Sequence, residues 1–233
     1  MPQTFVLVHG AWHGGWCWRR VADRLRAQGH VVFTPTMPGL GERAHLPDRP
    51  ITLDTHIADI ANLFKWERLS DVVLCGHSYA GFVVSGVAEL ISDAIRSIVF
   101  LDAFVPENGD SVVDVNPVMQ GVVRELQQRG ETWIAPRSAD FFGVNENDRA
   151  WVDALMVPQP LATFTGKMTL TGARERIAKK TYIRAASYAS PGFDHSLAKV
   201  KADPTWRSIS LQCHHDVMVD MPERLTELLI EAA

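Results

Sequence analysis

One serine, two adjacent histidines and a few aspartates stand in local contexts suited to acyl transfer. Ser78 lies in Gly76-His77-Ser78-Tyr79-Ala80-Gly81, directly after the apolar run DVVLC and ahead of a helix-like segment. A strand that enters a helix through so tight a turn lifts the hydroxyl above the sheet, and small neighbours let the backbone pass closely. The common spacing is G-x-S-x-G; here Ala80 holds the last position and Gly81 follows it. A hydroxyl attacks well only when a base takes its proton, and the late segment LQCHHDVM offers His214 and His215 for that task. Charge that develops on the attacked carbonyl oxygen needs aimed amide donors. The Tyr79 amide is one. The second is expected from LVHGAWHGGWCW, whose glycines free the backbone to turn, with Ala11 as the donor and Trp12 as the alternative. The paired glycines 14 and 15 serve equally for close packing of that loop.

These residues have to be carried to one place, and the pattern of elements shows how. Short runs rich in β-branched and aromatic residues recur: TFVLVHG, HVVFTPT, DVVLCGH, IRSIVFLDA, TYIRAAS and WRSISLQC. Near-continuous apolar runs of this kind suit strands buried on both faces. Helix-like segments separate them, which predicts a parallel sheet wound by right-handed crossovers. The final DMPERLTELLIEAA predicts a closing amphipathic helix, with Asp220 as N-cap, Glu223 completing a capping box and Pro222 in the first turn. From residue 106 to 176 the alternation breaks, and the stretch carries prolines and several aromatic residues. Its length argues for a mostly helical insertion or lid over a core made of 1–105 and 177–233.

Composition narrows the partners. The chain has 233 residues, 46% hydrophobic and 21% charged, with a net charge of −4, an ordinary globular balance without the basic footprint that nucleic acid requires. Three widely spaced cysteines fit reduced thiols better than a disulfide framework or a zinc knuckle. No basic leader or long apolar span opens the sequence, so the expected location is the cytoplasm, with no membrane partner. The run His214-His215-Asp216 also invites a metal, but adjacent residues rarely chelate one ion, and further ligands are not evident; no metal is expected.

LVHGAWHGGWCW, GHSYAG and HDVM together resemble the α/β-hydrolase superfamily, in the branch of plant salicylate-binding methylesterases, hydroxynitrile lyases and bacterial ester and carbamate hydrolases of the carbendazim-hydrolysing type. The resemblance spans nearly the whole chain except the 106–176 insertion. It implies the α/β-hydrolase fold: a minimal six-stranded, mostly parallel sheet with helices on both faces and a small helical cap. It also implies no cofactor, and hydrolysis of a small ester, carbamate or amide through Ser78. The branch usually reads G-H-D-x-M at the catalytic histidine, which puts His215 in that role and His214 where a glycine is common. Its acid usually follows the penultimate strand, where this chain has YIRAASYASPGFD and the aligned position holds Tyr188. Two aspartates compete for the vacancy. Asp102 closes the apolar run IVFLD at a strand end, where some superfamily lipases place their acid, and a buried carboxylate there needs a cationic partner. Asp194 is the alternative, although a helix N-terminus would also explain it; Glu107 or a dyad without an acid remain behind both.

The expected substrate is a small molecule with an apolar, aromatic acyl or alcohol group, enclosed by Trp12, Phe104, Trp133 and Phe164 beside Tyr79. A homodimer is compatible with this picture. Two other activities compete. Hydroxynitrile lyases typically carry a threonine near the first turn and a lysine after the histidine, whereas this chain aligns Gly10 and Asp216 there, which favours hydrolysis. A catalytically dead ligand-binding protein on the same fold would fit a missing acid, but sits poorly with an intact Ser78 and His215.

Overall fold

In a computed structural model describing residues 1–45 and 50–233, the six apolar runs form one sheet. The first half of the chain alternates β1 (Thr4–Val8), α1 (Arg19–Ala27), β2 (Val31–Phe33), α2 (Leu53–Trp66), β3 (Val72–His77), α3 (Ala80–Ile91) and β4 (Ile95–Leu101). The next stretch holds α4 (Val112–Val115), α5 (Pro117–Gln128), β5 (Trp133–Ile134), α6 (Glu146–Leu155), β6 (Gln159–Pro160) and α7 (Ala162–Thr165). The chain then returns through β7 (Lys179–Ala185), α8 (Pro191–Ala202), β8 (Trp206–Leu211), α9 (Val217–Asp220) and α10 (Pro222–Ala232).

The sheet order is β2-β1-β3-β4-β7-β8 and each described pair within it is parallel. Burial follows position. Every residue of β3 is buried, and β4 and β7 expose one each at their beginnings, because helices cover both faces. The edge strand β2 is short and β8 is mostly half-exposed, which limits pairing with other chains. In the 106–176 stretch β5 and β6 pair as a small antiparallel ribbon among short helices. Among the described residues no helix is long and apolar enough to cross a membrane.

One local expectation needs correction. Helix α10 begins at Pro222 with Met221 as its N-cap, and no side chain caps it. Asp220 instead turns its carboxylate to Asn145, accepting from the backbone amide at 3.2 Å and from Nδ2 at 2.7 Å, so a tertiary contact displaces the capping box. Helix α8 starts at Pro191, where proline is well placed in a first turn, and Asp194 falls within that turn, as a helix N-terminus would have it.

Parallel winding brings every strand's C-terminal end to the same edge. The turn after β1, the turns holding Ser78 and Asp102, and the loops after β7 and β8 therefore face one another across that edge, where open α/β sheets place their ligands.

Candidate active site

Ser78 sits where β3 turns into α3, with φ of 57°, in the left-handed region. A non-glycine residue there carries strain of about 1–3 kcal/mol, offset by a fixed turn. The Ser78 amide donates to the Leu101 carbonyl at 3.1 Å, and its own carbonyl accepts from Gly81 at 3.1 Å and Phe104 at 3.3 Å. The glycine requirement follows from packing. A Cβ on Gly81 would lie 2.0 Å from the Phe104 carbonyl oxygen, and one on Gly76 would lie 2.8 Å from the Ala80 carbonyl oxygen. Ala80 itself is fully buried without conflict, which accounts for the departure from G-x-S-x-G.

The Ser78 Oγ lies 3.0 Å from His215 Nε2, and His215 Nδ1 lies 2.7 Å from Asp102 Oδ2. His214 points away from this chain of contacts: it is exposed, and its ring packs where Gly143, at φ 75°, has no side chain. Asp102 is wholly buried at the end of β4, also with positive φ (41°). Its second oxygen accepts from Arg184 Nη1 at 2.6 Å and from the Ala185 amide at 3.0 Å. Asp194 is exposed and takes a different place, accepting from Arg184 Nε at 3.0 Å and Nη2 at 2.8 Å. No hydrogen bond joins Asp194 to His215 among the described residues. Although burial disfavours its charge, Asp102 and Asp194 hold the Arg184 guanidinium above its ordinary range.

Aromatic rings fix His215 from its sides. Tyr188 stacks on it at 4.7 Å and Phe193 at 5.2 Å, while the His77 ring is 4.4 Å away and tilted. Tyr188, at the position that the resemblance aligns with an acid, thus packs on His215. His77 donates from Nε2 to the His215 carbonyl at 3.1 Å, and burial keeps this ring well below the usual histidine range, hence neutral. The ligand atoms of His77, His215 and Asp216 lie within 4.8 Å of one another, yet His215 already spends both ring nitrogens on Ser78 and Asp102.

In the pocket beside Ser78, the amides of Ala11 and Tyr79 have no hydrogen-bond acceptor among the described residues. The Trp12 amide, the alternative donor, is occupied by Gln159 Oε1 at 3.0 Å. Gly10 lets this loop approach the serine, since a Cβ there would lie 3.0 Å from the Ser78 Cβ and 2.9 Å from His77 Nδ1. Ser78 and His215 open into a pocket of about 130 Å³ whose walls include Trp12, Phe104, Phe142 and Phe164. Trp133 is not among those walls. Its place in β5, paired with Pro160, turns it to the Gly39 turn, correcting the expectation from aromatic content alone. A larger open hollow of about 530 Å³ shares the Phe104 wall, but it is lined by Glu107, His195 and Lys199 and does not reach Ser78.

Three contributors lie outside the site residues that the sequence motifs mark. Arg184 is a buried cation near the C-terminal end of β7, a signal that a buried carboxylate must face it. His56, fully buried, contacts the Tyr79 hydroxyl at 3.0 Å through Nδ1 and accompanies the Pro38 carbonyl at 3.0 Å through Nε2. Gln159 begins β6, far along the chain, and no local pattern links it to residue 12.

The model of the alpha/beta hydrolase family matches residues 5–228. The chain belongs to that family. This hydrolase is 43% identical over 236 residues to a carbendazim hydrolyzing esterase of Nocardioides sp. (strain SG-4G), covering 97% of this chain and 98% of the relative. It is 24% identical over 258 residues to Methylesterase 7 of Arabidopsis thaliana, covering 99% and 96%. Among solved structures it superimposes with a TM-score of 0.86 on an extracellular alpha/beta-hydrolase from a Paenibacillus species, described as sharing structural and functional homology with tobacco salicylic acid binding protein 2. That match has 26% identity over 100% of this hydrolase and 99% of the other chain.

Proposed function

We propose that the protein cleaves a small carboxylic ester through an acyl-enzyme on Ser78, with His215 as general base and then acid and Asp102 as the acid of the triad. The chain is an ester-hydrolysing enzyme of the alpha/beta hydrolase family. The observation that carries the residue roles is the unbroken contact chain from Ser78 Oγ to His215 Nε2 (3.0 Å) and from His215 Nδ1 to Asp102 (2.7 Å).

In the first half-reaction the Ser78 proton passes to His215 Nε2 as Oγ bonds to the ester carbon. The carbonyl oxygen takes the negative charge and faces the amides of Ala11 and Tyr79. When the tetrahedral centre collapses, the bond to the alkoxide breaks and His215 returns the proton to it. Water then repeats the sequence on the acyl-enzyme, losing a proton to His215 and releasing acid and free Ser78. Asp102 holds Nδ1–H and stabilises the transient imidazolium. Asp216 lies buried where a lyase of this branch would carry its lysine, so residue 216 supplies no cation to the pocket.

The pocket supports an apolar, aromatic group on one side of the scissile bond. The segment 106–176 acts as the cap over the core of 1–105 and 177–233, tied to the first turn by Gln159 and by the bond from Trp12 Nε1 to the Ile134 carbonyl. The relative from Nocardioides is named for hydrolysing carbendazim, so carbamates belong in the test. Three unpaired buried thiols, Cys17, Cys75 and Cys213, suit a reducing compartment such as the cytoplasm.

A fluorophosphonate probe tests the nucleophile: it is expected to label the wild-type chain and spare Ser78→Ala, and labelling that persists would remove Ser78 from the role. A panel of aromatic methyl esters, lactones, methyl carbamates and carbendazim, compared by kcat/KM, then ranks the leaving-group chemistry.

A further inference from the structure

The turn after β1 contains a second buried histidine that the triad does not use. His13 is 2% exposed. Its Nδ1 is 2.8 Å from the Ala11 carbonyl oxygen and its Nε2 is 3.1 Å from Asp216 Oδ2. A carbonyl and an ionised carboxylate can only accept, so both ring nitrogens have to donate, and an imidazole that donates twice is an imidazolium. The one alternative is to move the proton to Asp216. Asp216 is fully buried, its Oδ1 has no hydrogen-bond partner among the described residues, and the nearest other cation candidate is His77 Nε2 at 3.9 Å, whose proton already goes to the His215 carbonyl. Burial favours the neutral acid, yet His13 holds Asp216 at about 2. Burial likewise opposes a charge on His13, and the Asp216 carboxylate outweighs it, raising His13 above its usual value. The Trp16 ring stacked at 5.3 Å adds a face that favours a cation.

We infer that His13 is a positioning residue carried as a buried imidazolium, which ties the oxyanion turn to the residue next to the catalytic histidine. The inference rests on Ala11 as oxyanion donor and His215 as base. Its mechanical logic is visible in the peptide units. The Ala11–Trp12 peptide is held at both polar ends, its carbonyl by His13 and its amide by Gln159. The preceding peptide has its Gly10 carbonyl held by His9 Nδ1 at 2.8 Å, and His9 Nε2 accepts from the Met37 amide at 3.0 Å, so His9 is neutral with its proton on Nδ1. What these three clamps leave unengaged is the Ala11 N–H. Trp12, at φ 65°, would relax out of the left-handed region if either clamp let go. Asp216 is the neighbour of His215 in the chain, so the same ion pair sets the separation between oxyanion turn and base. The titratable groups facing His13 are Asp216 at Nε2, His77 edge-on at 6.3 Å, and His9 within the same turn.

The deciding measurement is 15N NMR of histidine-labelled protein at pH 7.5. Both ring nitrogens of His13 are expected in the protonated range in the wild type and in Ser78→Ala, and one is expected to lose its proton in Asp216→Asn. A neutral His13 ring in the wild type would overturn the inference. Kinetics supply the second readout. His13→Gln and Asp216→Asn are expected to lose about 10²-fold in kcat with KM near wild type, because a donor displaced by an ångström forfeits that much. A folded His13→Gln enzyme with wild-type kcat would also overturn it. Hydrolysis surviving in Ser78→Ala would fault the triad assignment instead, and the NMR result on His13 does not depend on that outcome.

Discussion

Asp102 shows how one residue's role depends on its surroundings. A carboxylate with no exposure costs far more to bury than any single hydrogen bond returns, so it persists only with compensating charge. Here a guanidinium and an imidazole share it, through different oxygens. Asp102→Asn is expected to reduce kcat by about 10⁴, the scale of losing a triad acid, while Asp194→Asn, at the exposed end of Arg184, should stay within a few-fold. Steady-state kinetics on a p-nitrophenyl ester separate the two, and a severe loss confined to Asp194→Asn would reverse the assignment. Arg184→Met tests the clamp: removing one member of a buried pair is expected to cost about 3–5 kcal/mol of stability, read from urea unfolding, and Arg184→Lys should recover only part because it cannot span Asp102, Asp194 and the Tyr188 carbonyl at once.

At the scale of elements, the turn from β3 to α3 is shaped by the strand beside it as much as by its own sequence. Gly81 passes under the Phe104 carbonyl, where a methyl group would meet it at 2.0 Å. Gly81→Ala is therefore expected to shift the continuation of β4, lowering stability by about 1–3 kcal/mol and disturbing Asp102 with it. Ala80→Gly would restore the familiar G-x-S-x-G spacing, yet it should gain no activity and should cost about 0.5–1 kcal/mol for glycine in a helix. Thermal melts and kcat/KM on both variants check the contrast; a more active Ala80→Gly enzyme would show that the alanine compromises the turn.

The whole molecule keeps several histidines out of water, and that governs its response to pH. Burial lowers His9 to about 3 and His56 to about 4, and places His77 well below its usual value. Groups depressed in the folded state bind protons more readily when unfolded. Their contribution is complete above about 6.5 and is lost as pH falls from there toward the folded values, at up to about 1.4 kcal/mol per pH unit for each. His13 has the opposite sign: its raised value makes its contribution complete below the ordinary histidine range and lost as pH climbs through the raised value. Stability should consequently fall on both sides of neutrality. The measurement is Tm against pH; His56→Asn is expected to soften the acid slope, and His13→Gln to remove the alkaline one.

The amino-acid sequence made legible the alternation of strands and helices, the serine turn and the glycine-bearing loop after the first strand, because each is written in contiguous residues: apolar runs of strand length, small residues about Ser78, glycines after β1. For the acid it left Asp102 ahead of Asp194, with Glu107 or a dyad behind both, and the resemblance favoured His215 over its neighbour. Tertiary structure decided what depends on residues far apart in the chain. Arg184 reaches both aspartates, but only Asp102 lies against His215. His214 is drawn to Gly143 in the 106–176 stretch, Gln159 occupies the Trp12 amide, the Asp220 carboxylate bonds Asn145 instead of capping α10, and Trp133 turns from the pocket. Each of these outcomes rests on a polar or packing partner supplied by another element, and such partners are chosen by proximity in the folded chain, which local sequence patterns do not encode.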